Sequence, residues 1–184
     1  MDTRTRLIEA MSTSLRKRGY GSTAMKDVLV EAHATAGSMY HHFPDGKEQL
    51  ALTAVSEVGR TSTEGLIAII DSSPSVADAT AAFYGALMED MESSEFRYGC
   101  PIGVPSTEVA FVLDGVRAAG SDVFATWVDA IATGLEREGW NRGDAERGAR
   151  FAVSAYEGAS TLARATHDTS YISDTLEFVR NVLR

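Results

Sequence analysis

The chain has little cysteine and little proline, one and four residues respectively among 184. A single thiol closes no disulfide within a chain, which excludes a cross-linked secreted scaffold and fits a reducing compartment. No apolar run reaches the roughly 18 residues that a membrane span needs. The amino-terminal MDTRTRLIEA carries charges instead of an apolar signal segment. A cytoplasmic protein with no membrane association is therefore expected. Net positive charge is also missing. The 17 Lys and Arg face 26 Asp and Glu, giving −9, which argues against a generally basic coat for nucleic acid. The deficit is uneven: residues 1–60 hold 8 basic against 7 acidic side chains, and residues 61–184 hold 9 against 19. Acid is kept away from one end. Finally, no long stretch alternates apolar and polar residues with period two, so no sheet is expected.

What is present is helical periodicity. Leu7, Ile8, Met11 and Leu15 give an apolar face to a helix over Thr3–Arg18. Arg16-Lys17-Arg18 closes it and Gly19 supplies the cap. Further helices are expected over about Lys47–Ile70, Ser75–Met91, Thr107–Ala118, Asp122–Glu138, Ala145–Thr166 and Tyr171–Leu183, with a loop over Glu92–Ser106. The fold class expected is all-α.

Between the first and fourth helices lies TAMKDVLVEAHATAGSMYHHFPDGK, residues 23–47. Met25, Val28, Leu29 and Ala32 have helical spacing, a polar break follows at His33–Thr35, and a shorter segment carries Met39, Tyr40 and Phe43. Pro44 and Gly46 stop it. Two short helices around a tight turn are the pattern of a helix-turn-helix, whose second helix enters the major groove. The same pattern also occurs in ordinary helical cores, and spacing alone leaves both open.

The residue identities go further. Glu31-Ala32, Thr35, Gly37-Ser38, Tyr40-His41-His42-Phe43 and Lys47, with Leu7-Ile8-Glu9-Ala10 and Arg18-Gly19-Tyr20 upstream, resemble the amino-terminal domain of the TetR family of transcriptional regulators. Gly99-Cys100-Pro101-Ile102, Glu157-Gly158-Ala159, Leu162-Ala163-Arg164-Ala165 and FPDGKEQL at 43–50 resemble its LmrA/YxaF-like subgroup. The resemblance implies a three-helix DNA-binding domain over 1–46 and a helical ligand-binding and dimerisation domain over 47–184. It implies a ligand-responsive regulator, expected to be a repressor. A homodimer joined through residues about 145–183 would bind a palindromic operator in double-stranded DNA, and a small apolar or aromatic effector would release it.

The DNA-binding residues implied are Thr23, Thr35, Ala36, Gly37, Ser38, Tyr40, His41 and Lys47, with Tyr40 and Lys47 suited to phosphate. Thr23 or Ser22 is expected to cap the second helix and Thr35 the third. His33 stands where the family often has Gly, and Ala36 where it is frequently basic. Arg4 and Arg6 are further phosphate candidates. An effector cavity is expected from Phe83, Tyr84, Leu87, Met88, Cys100, Phe111, Trp127 and Tyr156, which supply aromatic and soft surface. The small residues Ala149, Ala152, Ala155, Gly158, Ala159 and Ala163 are expected to permit close helix packing at the dimer interface. No cofactor and no metal are implied; the His41-His42 pair lacks acidic or thiol ligands at metal-site spacing. Two rival readings remain at this point. A small helical enzyme would rest on Cys100 with His167, without a recognised catalytic spacing. A helical interaction module without DNA binding is kept open by His33 and Ala36.

Overall fold

A computed structural model describes residues 1–109 and 111–184. Among the described residues there are nine helices and no strand: α1 (Thr3–Arg18), α2 (Met25–Glu31), α3 (Ala36–His42), α4 (Lys47–Ser72), α5 (Val76–Ser93), α6 (Gly103–Glu108), α7 (Asp114–Arg137), α8 (Arg142–Thr166) and α9 (Ser170–Val182). The all-α expectation holds. No helix among the described residues is long and apolar enough to cross a membrane.

Packing divides the chain into two compact units. One comprises Met1–Arg60 with Cys100–Asp122, the other Thr61–Gly99 with Val123–Arg184. The segment carrying α6 thus belongs to the same unit as the amino-terminal residues.

In the first unit, α1 begins at Asp2, whose carboxylate accepts from the Thr5 amide at 2.7 Å. It ends at Gly19, where φ is +74° and the amide bonds Leu15 O. A left-handed residue at this point suits glycine. The α1 face of Leu7, Met11 and Leu15 is buried and α1 packs on α2 and α3. Phe43 and Leu50 are buried as well. Ser14 is fully buried and accepts from Arg18 at 3.3 Å.

Two sequence expectations fail between residues 100 and 138. The sixth helix is not Thr107–Ala118 but Gly103–Glu108, and the seventh starts at Asp114 instead of Asp122. Pro105 sits in the first turn of α6, where its missing N–H costs no helical bond. Gly120 does not stop a helix. A Cβ on it would lie 1.9 Å from Ser106 Oγ, so the glycine lets α7 lie close against α6. Its role is a crossing, and the helix continues through it.

In the second unit, Ser75 caps α5 by accepting from the Asp78 amide at 3.1 Å, and Glu138 accepts from the Val76 amide at 2.5 Å. α9 packs on both α5 and α8. Arg180 of α9 reaches Asp78 at 2.7 Å. Most of the small-residue face of α8, with Ala145, Ala149, Ala152, Ala159 and Ala163, is buried within the chain itself. A Cβ on Gly148 would approach Leu183 at 3.2 Å and Leu135 at 3.3 Å, which is why this face is small. The expectation that these residues meet a partner is corrected accordingly. What α8 and α9 leave exposed is Phe151, Leu162, Tyr171, Phe178 and Val182.

Candidate functional site

The turn between α2 and α3 is built by three local devices. Ala32 N–H closes on Val28 O at 2.9 Å, ending α2. His33 then takes φ +48°, the left-handed region that glycine enters freely and a branched-free side chain enters at a cost. The Ala34 amide bonds back to Leu29 O at 2.9 Å. Thr35 next accepts from the Ser38 amide at 3.1 Å and caps α3 as expected. His33 therefore keeps the glycine-like turn, and the motif is complete without glycine.

On α3, Ala36, Gly37, Tyr40 and His41 are exposed and Ser38 is half-buried, while Met39 and Phe43 turn inward. Tyr40 is 58% exposed, with its ring edge 3.5 Å from where a Gly46 Cβ would stand. The ring thus lies close beside the Gly46 backbone, and most of the side chain stays exposed. His42 packs beside Phe43 with ring centroids 6.4 Å apart. No group of His, Cys, Asp and Glu among the described residues is arranged to hold a metal ion.

Thr23 departs from its expected place. It is 2% exposed and its hydroxyl donates to Gly19 O at 2.6 Å, while the N-cap position of α2 belongs to Ala24, which makes no side-chain cap bond. Thr23 ties the helix α1 end to the loop and presents no hydroxyl to solvent. Lys47 is half-buried. Its ammonium donates to Tyr20 O at 2.6 Å and lies 4.1 Å from the Tyr20 ring centroid. Burial lowers its pKa and the Glu108 carboxylate works against that. One of its three protons is therefore committed to the protein.

No motif or spacing marks Glu108. Its Oε2 accepts from the Tyr20 amide at 2.5 Å and its Oε1 from the Gly21 amide at 2.9 Å. A Cβ on Gly19 would fall 1.9 Å from the same Oε2. The loop after α1 thus receives a carboxylate from α6, across 88 residues of sequence.

The second unit contains an aromatic cavity lined by Leu66, Thr80, Phe83, Tyr84, Trp127, Ile131, Ala152, Val153 and Tyr156. Its free volume is about 20 Å³, room for little more than a water molecule. The Phe83 and Tyr156 ring centroids are 4.8 Å apart, and Trp127 stands edge-on to both at 5.7 and 5.9 Å. Trp127 Nε1 donates to Thr63 at 3.1 Å and the Tyr84 hydroxyl to Ala152 O at 3.0 Å. Burial, with the Glu157 charge second, raises the Tyr84 pKa, so it remains a neutral donor.

Four of the eight expected cavity residues, Phe83, Tyr84, Trp127 and Tyr156, meet here. Leu87 is buried and Met88 half-buried, but the cavity lies one turn earlier on α5, at Thr80. Cys100 is buried in the other unit, where its sulfur accepts from the Gly103 amide at 3.3 Å. Phe111, in the loop between α6 and α7 of that unit, is fully exposed. Five lining residues were missed: Thr80, Ile131, Ala152 and Val153 fall three or four positions from Phe83, Trp127 or Tyr156 and were accessible from helical spacing, whereas Leu66 lies on another helix, α4.

Comparison with known proteins agrees with this geometry. Residues 7–54 match the family described as bacterial regulatory proteins, tetR family, and residues 76–177 match the C-terminal domain described as transcriptional regulator LmrA/YxaF-like. An HTH-type transcriptional regulator of Mycobacterium tuberculosis is 32% identical over 98% of this chain and 93% of its own length. The HTH-type transcriptional regulator LmrA of Bacillus subtilis is 25% identical over 88% of this chain and 86% of its own. In fold, the chain is similar to a TetR transcriptional regulator from Legionella pneumophila, with a TM-score of 0.86, 21% identity, and coverage of 100% and 98% of the two chains. These relatives are regulators and not enzymes, and the chain belongs to the TetR family of DNA-binding transcriptional regulators, in its LmrA/YxaF-like branch.

Proposed function

We propose that the chain is a homodimeric repressor of transcription that binds a palindromic operator and is released by a small apolar or aromatic effector. The observation that carries the effector reading is the aromatic cavity around Phe83, Trp127 and Tyr156, apolar on its walls, with the Tyr84 and Thr80 hydroxyls already turned to the backbone carbonyls of Ala152 and Val76. The rings already touch, so an effector has to part them. Binding therefore favours a conformation other than the one described, which is the requirement for an effector to shift an equilibrium.

Dimerisation is supported by the apolar side chains that α8 and α9 keep out of their own unit. Phe151 and Leu162 fall with Ala155 and Gly158 on one stripe of α8, and Tyr171, Phe178 and Val182 on one stripe of α9. A two-fold pairing of these stripes would place two recognition helices on successive major grooves, hence the palindrome. In this reading Ala36, Gly37, Ser38 and His41 approach the groove, and the Tyr40 hydroxyl and the remaining Lys47 protons meet phosphates.

The test is selection of duplexes from a random library by the wild-type chain, followed by binding titrations with Tyr40→Phe. A palindromic consensus is expected. Tyr40→Phe is expected to weaken the selected and a random duplex alike, and aromatic compounds that enter the cavity are expected to release the selected duplex. A selected site without two-fold symmetry, or compounds that quench Trp127 fluorescence while DNA stays bound, would overturn the corresponding part of the reading.

A further inference from the structure

The first turn of α1 carries two arginines that the sequence offers as phosphate contacts. Arg6 is already committed within the chain. The Arg6 guanidinium is engaged through all three nitrogens: Nε donates to Ala32 O at 2.8 Å, Nη1 to Met1 O at 3.1 Å and Nη2 to Thr3 Oγ1 at 3.1 Å. Ala32 O belongs to the residue that ends α2, where carbonyls lack helical partners and a cation is favoured. The next residue is His33, at φ +48°. At the other end of α3, the Arg4 guanidinium carbon stands 5.7 Å from the ring centroid of Phe43, the buried residue that closes that helix.

We propose that Arg6 is a positioning residue for DNA reading: it holds the turn before α3 in the left-handed conformation that His33 would otherwise resist, and so sets the pose of the recognition helix. A glycine at position 33 needs no such hold, because it enters positive φ without a steric cost. With histidine there, competing turn conformations of right-handed φ lie close in energy, and each would move α3 relative to α1. Arg6 selects among them by a charge-assisted bond to the one carbonyl that marks the correct turn. Three fixed donors are needed to hold Met1, Thr3 and Ala32 together. Lysine, a point charge on a flexible stem, keeps the charge and loses that fork.

The inference rests on this unit being the DNA reader, and the test separates the two. Arg6→Lys, His33→Gly and the double variant are titrated against the duplex selected by the wild-type chain and against a random duplex, at several salt concentrations. Amide exchange at Ala34 is followed in the same proteins without DNA. Arg6→Lys is expected to lose about tenfold in affinity for the selected duplex, about 1.4 kcal/mol, with a smaller loss on the random one and an unchanged salt slope. Ala34 should exchange faster, since its bond to Leu29 O closes the turn. His33→Gly is expected to recover most of both losses. The proposal is overturned if Arg6→Lys binds as wild type does. It is overturned equally if Arg6→Ala, carried in parallel, flattens the salt slope by about one unit per subunit while Arg6→Lys preserves it, the mark of a phosphate contact. If the wild-type chain selects no duplex, the DNA reading fails, and the Ala34 exchange rates still decide whether Arg6 holds the turn.

Discussion

Removing the Glu108 carboxylate is expected to loosen the loop after α1 without unfolding the unit. Two amides, those of Tyr20 and Gly21, lie 2.5 and 2.9 Å from its oxygens. On the other side of the same loop the Lys47 ammonium holds Tyr20 O at 2.6 Å. The Tyr20 backbone is thus gripped at its donor by an anion and at its acceptor by a cation. Two charge-assisted hydrogen bonds have a ceiling of about 3–6 kcal/mol. Glu108 is exposed, and water would replace part of what Glu108→Ala removes. A net local loss of about 1–2 kcal/mol is therefore expected. Glu108→Gln should lose a similar amount, because its amide nitrogen would face one of the two N–H donors.

A loss of that size speeds local opening by about 5–30 fold. The assay is hydrogen exchange of the Tyr20 and Gly21 amides, read residue by residue, under conditions where opening limits protection. The Phe43 amide, bonded to Met39 O at 2.8 Å, is the internal reference and should not change. Gly19→Ala offers an independent route to the same effect, since its Cβ would stand 1.9 Å from Oε2 and φ is +74°. Exchange at Tyr20 and Gly21 that stays at wild-type rates in Glu108→Ala would refute the reasoning, whatever happens to global stability.

Thr35→Ala removes the side-chain cap of α3 and should cost about 1 kcal/mol, seen as weaker binding to a selected duplex and a small fall in thermal midpoint. Wild-type affinity in that variant would mean that α3 does not depend on its cap. Phe178→Glu places a charge on the most exposed aromatic of α9, which is 69% exposed; sedimentation should show a monomer with unchanged helix content. An intact dimer would put the interface elsewhere.

How much of this was legible from residues alone depends on sequence distance. The Thr35 cap, the left-handed His33 and the Gly19 stop are local. Their causes lie within four positions; the cap and the stop were read correctly, and His33 was marked only as standing where glycine is frequent. Arg6 to Ala32 spans 26 residues and Glu108 to Tyr20 spans 88, and no periodicity announces such pairs. Thr23 was misread because a hydroxyl before a helix suits a cap, yet here a closer acceptor, Gly19 O, takes its proton. The start of α7 was misplaced because a glycine that ends a helix and one that admits a neighbouring helix, as Gly120 does, look the same in sequence. Only Ser106 at the crossing tells them apart. The α8 stripes show a further limit. Spacing reveals that two faces are apolar, but not which of them meets the chain's own α9 and which is left outward.

These placements bear on how the reading head meets DNA. Several of the cations of residues 1–60 already have partners: Arg6 on Ala32 O, Arg18 on Asp27, Arg60 on Glu57, Lys47 on Tyr20 O. An arginine held by three nitrogens, or paired with a carboxylate, releases no counterion from a phosphate. The electrostatic part of binding should therefore be small, and more of the affinity should come from the backbone and hydroxyl contacts of α3, which depend on its pose. With about two or three neutralised phosphates per subunit, a dimer should show a slope of log affinity against log salt of about −4 to −5. Titration of a selected duplex across salt concentrations measures it. A slope steeper than about −7 would require more cations at the backbone than these pairings leave, and would mean that Arg18 or Arg60 abandons its carboxylate when DNA binds.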